Sequence, residues 1–507
     1  MKINKTICIL ALVCVCLIPS SCSEEFLTQQ DTRDSTSESL FKKPEDAVQL
    51  VNAIYNTMHN NNFVIKALWY QANFLTQDYK NWGSDTFFAT YEIPTNFGAL
   101  NTFWVRSYEG ITRANSALET IEIMRADGIL DEDLANRLKG ESLFLRGLFY
   151  YYLATEFGGV PLELALTTDD GRHPRNTQDE VFQSVVSDLE NAAALLPWRE
   201  DLELTDIGRA TKGAALAYLG DAQMWLKKYD DAVTSYNKLE GHYQLEDDFL
   251  RIHAFDNQNG MEDIFSIQYI TAANMRNGSS DTQWLVEFCL PEEISKTGYA
   301  YVDKKYYDSF EAGDERKFAT VIGPGDEHPD PVIDISMYKN VKDTYGGINT
   351  LGTEANPWKG ADGQRSGYYA VKSWRDPNVT GRFGDYSYSS LNLILMRYGQ
   401  VLLSKAEALY RSGNEAEARN IINNHIRLRA NLEPVPESED FITMLTNEYR
   451  YELGGEFSFF FYLRRAGEAE KFVLDKYNIV IPPGHTLMPI PVEQIATNQT
   501  LVQNPGY

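Results

Sequence analysis

Apolar residues recur at helical spacing in three stretches of the chain. The first runs from about Pro44 to Tyr55 and resumes from Phe103 to Phe157, with a break near Gly128. The second covers about Thr211 to Leu239, and the third runs from Leu391 to Arg429 and then from Phe441 to Arg465. Apolar positions three and four residues apart share one face of a helix, so these stretches predict helices packed on a common core. Between Glu246 and Ser390 the text changes: Gly, Pro, Asn and Asp become frequent, and short runs such as Ile264-Phe265-Ser266-Ile267 read as edge-type strands. Another irregular stretch spans about Asn60 to Asn101. The pattern predicts a mainly α fold. A helical scaffold over about 38–245 and 391–507 carries a long irregular, loop-rich insertion with short strands over about 246–390.

Two helical pairs resemble each other at an offset of 186 residues: Leu216 matches Leu402, Ala222 matches Ala408, and Ala232 matches Ala418. Small residues on facing helices, joined by tight turns at Lys228/Asp230 and Gly413/Asn414, let two helices approach closely. That is the logic of tetratricopeptide hairpins. Glu141 to Phe157 is a third candidate.

The N-terminus reads as a leader rather than as fold. Lys2 and Lys5 precede an apolar run from Ile7 to Ile18, too short to span a bilayer as a helix. Ser20-Ser21-Cys22 then resembles the lipobox of bacterial lipoproteins. Residues 1–21 are expected to be a signal peptide, Cys22 the lipidated N-terminus, and residues 22–37 a polar tether. Ser23-Glu24-Glu25 resembles the acidic signal that exports lipoproteins of Bacteroidetes-type bacteria to the outer face of the outer membrane. Three of the five cysteines lie in the leader and one is the lipid site. That leaves Cys289 alone in the body, where it reads as a small buried hydrophobe.

With 46 basic against 72 acidic side chains the formal charge is −26, and losing Lys2 and Lys5 with the leader makes it −28. Nucleic acid and anionic membrane surfaces, which need clustered Lys and Arg, are poor partners for such a chain. The catalytic census is thin: there is no His-Glu-x-x-His, no Gly-x-Ser-x-Gly and no phosphate-cradling glycine loop. The seven histidines are scattered, and His242 and His253 read as structural. No catalytic residue, metal site or cofactor is expected. A two-carboxylate glycosidase needs no sequence motif, so that class stays open.

Aromatic side chains inside loops stand out instead. Flat rings on a surface stack on the apolar faces of sugars while neighbouring Asn, Asp and Arg take the hydroxyls; most such rings in any protein are ordinary core. In Tyr79-Lys80-Asn81-Trp82-Gly83-Ser84-Asp85, and from Asn274 through Arg276 to Trp284, aromatics sit among Asn, Asp, Ser and Gly with no core stripe. The expected binding residues are Trp82 and Trp284, with Tyr79, Asn81, Asp85, Asn274, Arg276, Tyr299, Tyr301 and Trp358 around them.

The C-terminus carries a resemblance. Leu487-Met-Pro489-Ile-Pro491-x-Glu493, then Asn498-x-x-Leu501-x-Gln503-Asn504-Pro505-Gly506-Tyr507, closely resembles the closing signature of the SusD/RagB family of outer-membrane glycan-binding lipoproteins. Ile426-Arg427-x-Arg429-Ala430, Glu448-Tyr-Arg450-Tyr-Glu452-Leu453 and Leu463-Arg464-Arg465-Ala-Gly467 match that family's preceding segments. Trp104-x-x-x-Tyr108-x-x-Ile111-x-x-Ala114-Asn115 and Phe41-Lys-x-x-Glu45-Asp46-Ala47 match near the front. Departures occur where the usual Glu-Gly-x-Arg reads Glu456-Phe457-Ser458-Phe459, at Tyr462 in place of an Asp, and at Ala466 in place of a frequent Trp. These motifs read as scaffold: buried Arg/Glu pairs and an anchor for the chain end. The resemblance implies four tetratricopeptide-like hairpins under an irregular ligand face. It also implies a cell-surface lipoprotein that binds oligo- or polysaccharide without cleaving it, and a SusC-like TonB-dependent transporter barrel as partner. A peptide or other non-glycan nutrient in the same importer, or a surface glycoside hydrolase, are the alternatives.

Overall fold

The structure is a computed structural model that describes residues 41–270, 283–292, 294–295, 297–333, 352–360, 362–379 and 388–507. It is mainly helical, with four small two-stranded antiparallel sheets among the described residues; their first three strands are β1 (Tyr79–Asn81), β2 (Asp263–Ile267) and β3 (Ala300–Val302). The scaffold helices are α1 (Pro44–Tyr55), α2 (Gly98–Ala126), α3 (Glu132–Phe157), α4 (Gln178–Leu195), α5 (Lys212–Trp225) and α6 (Tyr229–Asn237). After the insertion come α7 (Tyr398–Arg411), α8 (Glu415–Ile421), α9 (Phe441–Leu453), α10 (Phe459–Ala466) and α11 (Ala469–Tyr477). From α2 to α8 each packs on the next, and α6 packs directly on α7 although the insertion separates them in sequence.

Local chemistry sets the helix ends. The Asp131, Thr211, Asn414 and Asp440 side chains each accept from a backbone N–H of the first helical turn. Thr177 and Glu180 form a reciprocal capping box that starts α4. The repeated hairpins, α5–α6 and α7–α8, bury the matched Leu216/Leu402, Ala222/Ala408 and Ala232/Ala418. A Cβ on Gly220 of α5 would run into the Tyr236 ring of α6, so glycine is what allows this close approach.

Four expectations change. Leu393–Arg397 is a strand, not the start of a helix, because a short apolar run does not distinguish a buried strand from a buried helix. Asp263–Ile267 is a strand with all five residues buried, rather than a half-exposed edge type. The stretch read as irregular from Asn60 contains a buried π-helix, Asn62–Trp69, and a helical turn, Tyr70–Phe74. Helix α4 was not foreseen, although its capping box is visible in the text. Cys289 is buried in the main core, where burial pushes its thiol up to about 12. The leader, Cys22 and the tether lie outside the described residues.

The motifs read as scaffold form a buried ionic lattice centred on α9. Helical spacing puts Glu448 and Glu452 on one side and Arg450 nearly opposite. Glu448 accepts from Arg316 (2.7 Å) and Arg427 (2.6 Å); Glu452 accepts from Arg397 (2.8 Å) and from Arg429. Arg397 also donates to Glu456 (2.7 Å), and Arg429 to Glu262 (2.9 Å). Lys372 donates to Glu456 (2.5 Å); Glu262, Arg316 and Lys372 come from the insertion and the remaining partners from the scaffold, so the lattice joins the two. On its other side α9 offers Arg450, whose guanidinium binds Asp78 (2.9 Å) just before the strand Tyr79–Asn81. The closing segment is held as expected: Asn504 Nδ2 donates to Phe157 O (2.9 Å) and Met488 O (2.7 Å), and Arg175 donates to Asn504 Oδ1 (2.8 Å).

Burial alone would raise the Glu452 carboxyl, but Arg429, Arg397 and Arg316 outweigh it and hold it at about 2, below the ordinary 4.5. A carboxyl depressed in the folded state stabilises fully above the unfolded value, and that stability is lost as pH falls from about 4.5 through about 2. Glu452→Gln is expected to cost about 3–5 kcal/mol at neutral pH by stranding buried arginines. It should also flatten the loss of stability below pH 4.5. Denaturant unfolding of both proteins from pH 7 to 3 checks this; equal slopes would contradict it.

Candidate functional site

Strand β1 (Tyr79–Asn81) pairs antiparallel with β3 (Ala300–Val302), with Tyr79 opposite Val302, Lys80 opposite Tyr301 and Asn81 opposite Ala300. The pairing is extended by Trp82 N–H to Tyr299 O (2.8 Å) and by Asp303 N–H to Asp78 O (2.8 Å). Gln77, at φ +66°, turns the chain into β1, and its side-chain amide donates to Phe74 O (3.1 Å) and Phe88 O (3.3 Å). Two loops far apart in sequence are thus joined into one surface, fixed from behind by Arg450 and Asp78.

The strand period decides which rings face out. Tyr79 points inward and is buried, as are Ala300 and Val302, while Tyr299 and Tyr301 lie half-buried on the outer side. Tyr299 stacks on Phe288 at 5.3 Å and 25°. Gly83, at φ +101°, lies against it: a Cβ there would be 2.8 Å from Tyr299 Cε1. Trp82 is half-buried, and the Arg365 guanidinium carbon lies 3.9 Å from its ring. Arg365 pairs with Asp362 (2.7 Å) and Glu292 (3.1 Å). Burial, then Asp303, raises the Tyr301 phenol above its ordinary value, partly offset by Arg365; it stays a neutral hydroxyl at physiological pH.

The expected site residues divide into three groups. Trp82, Asn81, Tyr299 and Tyr301 are brought together by the β1–β3 pair. Asp85 is close in sequence, but its carboxylate is turned to Lys66 at 3.5 Å. Trp284 is half-buried before the short helix Leu285–Cys289, which also carries the Phe288 that supports Tyr299; its ring lies 6.0 Å from Tyr388. Two expectations are corrected. Tyr79 belongs to the main core, and Trp358 is fully buried in a second, smaller core with Val286, Ile322, Tyr369, Val371 and Trp374. A loop segment this long needs its own apolar centre, and Trp358 supplies the bulk, so neither ring is available to a ligand. Asn274 and Arg276 lie outside the described residues. Sequence reading missed Arg365 and its two carboxylates, because an isolated Arg in polar loop text carries no sign of its partner.

A concavity of about 740 Å³ between α4, α5 and α6 lies elsewhere. Its Trp198 is stacked on His242 at 3.5 Å and approached by Lys212, so it is not a free platform. Among the described residues, no group of three or more His, Cys, Asp or Glu side chains is placed to hold a metal, and no helix is long and apolar enough to cross a membrane. The surface around Trp82 supplies ring faces, hydroxyls and an amide, which suits contact with a polyhydroxylated ligand.

Comparison with known proteins agrees with the architecture. Residues 223–507 match the family model described as SusD family, and residues 24–223 match one described as starch-binding associating with outer membrane. SusD-like protein P2 of Formosa agariphila is 24% identical, over 93% of this chain and 94% of that protein. A laminarin-binding SusD-like protein superposes with a TM-score of 0.74 at 23% identity, covering 92% of this chain and all of that one. A surface glycan-binding protein A from Bacteroides thetaiotaomicron, solved with laminarihexaose, gives 0.72 at 19% identity, covering 91% of this chain and 99% of the other.

If Gly83 is glycine for the sake of Tyr299, Gly83→Ala is expected to cost about 1–3 kcal/mol. Gly313→Ala, at a comparable φ of +90° with open space around it, should cost less. Denaturant midpoints compare the two; an equal loss would mean that backbone strain alone makes Gly83 necessary.

Proposed function

The chain belongs to the SusD family, and from that premise we propose that it is a non-catalytic, cell-surface glycan-binding protein that delivers oligo- or polysaccharide to a TonB-dependent outer-membrane transporter. The observation that carries this is the outward surface of Trp82, Tyr299 and Tyr301 on the β1–β3 pair. Sugar rings stack on these faces, while the Tyr301 hydroxyl takes hydrogen bonds. The surface is open rather than a closed cavity, so it accepts an internal segment of a polymer, and repeated engagement along the polymer raises the effective affinity. Residues 1–21 are removed as a leader, Cys22 carries the lipid, and 22–37 tether the body to the outer membrane. The helical hairpins form the rigid face that meets the transporter.

Solved relatives bearing laminarin and laminarihexaose in their names make β-glucan the first ligand to test, with starch beside it. The body from Ser23 to Tyr507 would be run in native gels across a range of polysaccharide concentrations. Retardation by at least one polymer is expected. Trp82→Ala should weaken it about tenfold, roughly 1.4 kcal/mol, and Trp198→Ala should leave it unchanged. Retardation unaffected by Trp82→Ala would overturn this surface as the site. Reducing ends released from the polymer would overturn the non-catalytic reading.

A further inference from the structure

Arg365 is placed with unusual care for a loop residue. Its side chain is 1% exposed, and one terminal nitrogen, Nη1, serves both Asp362 and Glu292. The turn that presents it closes on itself, with Arg365 N–H to Lys359 O (3.1 Å), Gly363 N–H to Gly360 O (3.1 Å) and Gln364 N–H to Asp362 Oδ1 (3.0 Å). A Cβ on Gly360 would lie 2.5 Å from Arg365 Nη1 and 2.6 Å from Glu292 Oε2, so only glycine leaves room for the ion pair under this turn. Yet Arg365 Nε and Nη2 are buried and make no hydrogen bond among the described residues. Leaving buried N–H groups of a cation without an acceptor is costly. The neighbour that compensates is the Trp82 ring, 3.9 Å from the guanidinium carbon, and cation–π attraction is strongest where water is excluded. Among the described residues no aromatic ring stacks on Trp82.

We propose that Arg365 is a positioning residue for glycan capture: held by Glu292 and Asp362, it backs one face of Trp82, fixes the indole before ligand arrives and leaves the opposite face as the platform. This rests on the glycan reading of the surface. The physical gain is pre-organisation, since an indole already held in its binding orientation loses less freedom when a sugar stacks on it. Arg365 itself touches no ligand, so its effect passes through Trp82.

A double-mutant cycle separates this from simple structural damage. Affinity for the polysaccharide that best retards the wild type would be measured for Arg365→Met, Trp82→Ala and the double variant. Arg365→Met is expected to weaken binding about three- to tenfold, the scale of ordering one large side chain. In the Trp82→Ala background it should add less than about twofold. In 5-fluorotryptophan-labelled protein without glycan, the Trp82 ¹⁹F line, identified by its loss in Trp82→Phe, should shift and broaden in Arg365→Met while the Trp198 line stays in place. Asp362→Asn, which keeps the guanidinium and one carboxylate, gives the same direction with smaller size if Arg365→Met does not fold. Equal losses in both backgrounds, or an unmoved Trp82 line, would overturn the proposal and leave the glycan reading standing. Wild-type affinity in Trp82→Ala would overturn the proposal together with this surface as the site.

Discussion

Two carboxylates on one turn of α9 hold the molecule together. Glu448 and Glu452 are almost fully buried and are reached by Arg316, Arg397, Arg427 and Arg429, while Arg450 on the opposite side of the helix holds Asp78. Buried ion pairs are weak contributors when compared with apolar packing of the same volume, but once built they cannot lose one member cheaply. The lattice therefore acts as a constraint on geometry. Glu262, Arg316 and Lys372 reach their scaffold partners only if the insertion folds back against α7 and α9 in one register, and Asp78 reaches Arg450 only if β1 lies beside α9.

That constraint lets an irregular segment carry a defined surface. The hairpins continue past the insertion as though it were absent, with α6 packed on α7, so the scaffold does not depend on the loops for its continuity. The loops depend on the scaffold. They have a small apolar core of their own around Trp358, Tyr369 and Trp374, and the ionic lattice supplies the remaining attachment. The outward aromatic surface forms where the two meet, because β1 belongs to the scaffold half of the chain and β3 to the insertion.

What the text revealed and what it hid follow from this division. Helices α2, α3, α5, α6 and α9 are legible because the spacing of their apolar residues is local. The matched pairs at 186 residues fall on equivalent buried positions of two hairpins, since close helix packing needs small residues at fixed places. Glu448-x-Arg450-x-Glu452 was readable as scaffold, because charged residues at that spacing among apolar neighbours have to be paired. The aromatic loops were harder. Tyr79 and Trp82 stand three apart in one polar stretch, and only the strand pairing, a long-range fact, turns the first inward and leaves the second accessible. Trp358 looked like Trp82 in sequence and became core because a loop segment of this size needs a centre. Arg365 gave no local signal at all: its role comes from Glu292, Asp362 and Trp82, which lie up to 283 residues away.

The same reasoning separates the aromatic surface on the β1–β3 pair from the groove of about 740 Å³ between α4, α5 and α6. Between α4, α5 and α6 the floor is made by helices whose side chains satisfy one another, and Trp198 is already occupied by His242. On the β1–β3 pair, alternate residues of a strand repeat at about 6.6 Å, close to the span of one sugar ring, and Tyr299 and Tyr301 are two such residues. Trp82 follows on the neighbouring strand with one face closed by Arg365. Rings at that spacing, each supported from behind by Phe288, by the small core or by a guanidinium, are held in one orientation by the fold itself. The helical scaffold fixes the position of the surface, the lattice on α9 fixes the strands that form it, and the supports behind each ring fix which faces are turned outward.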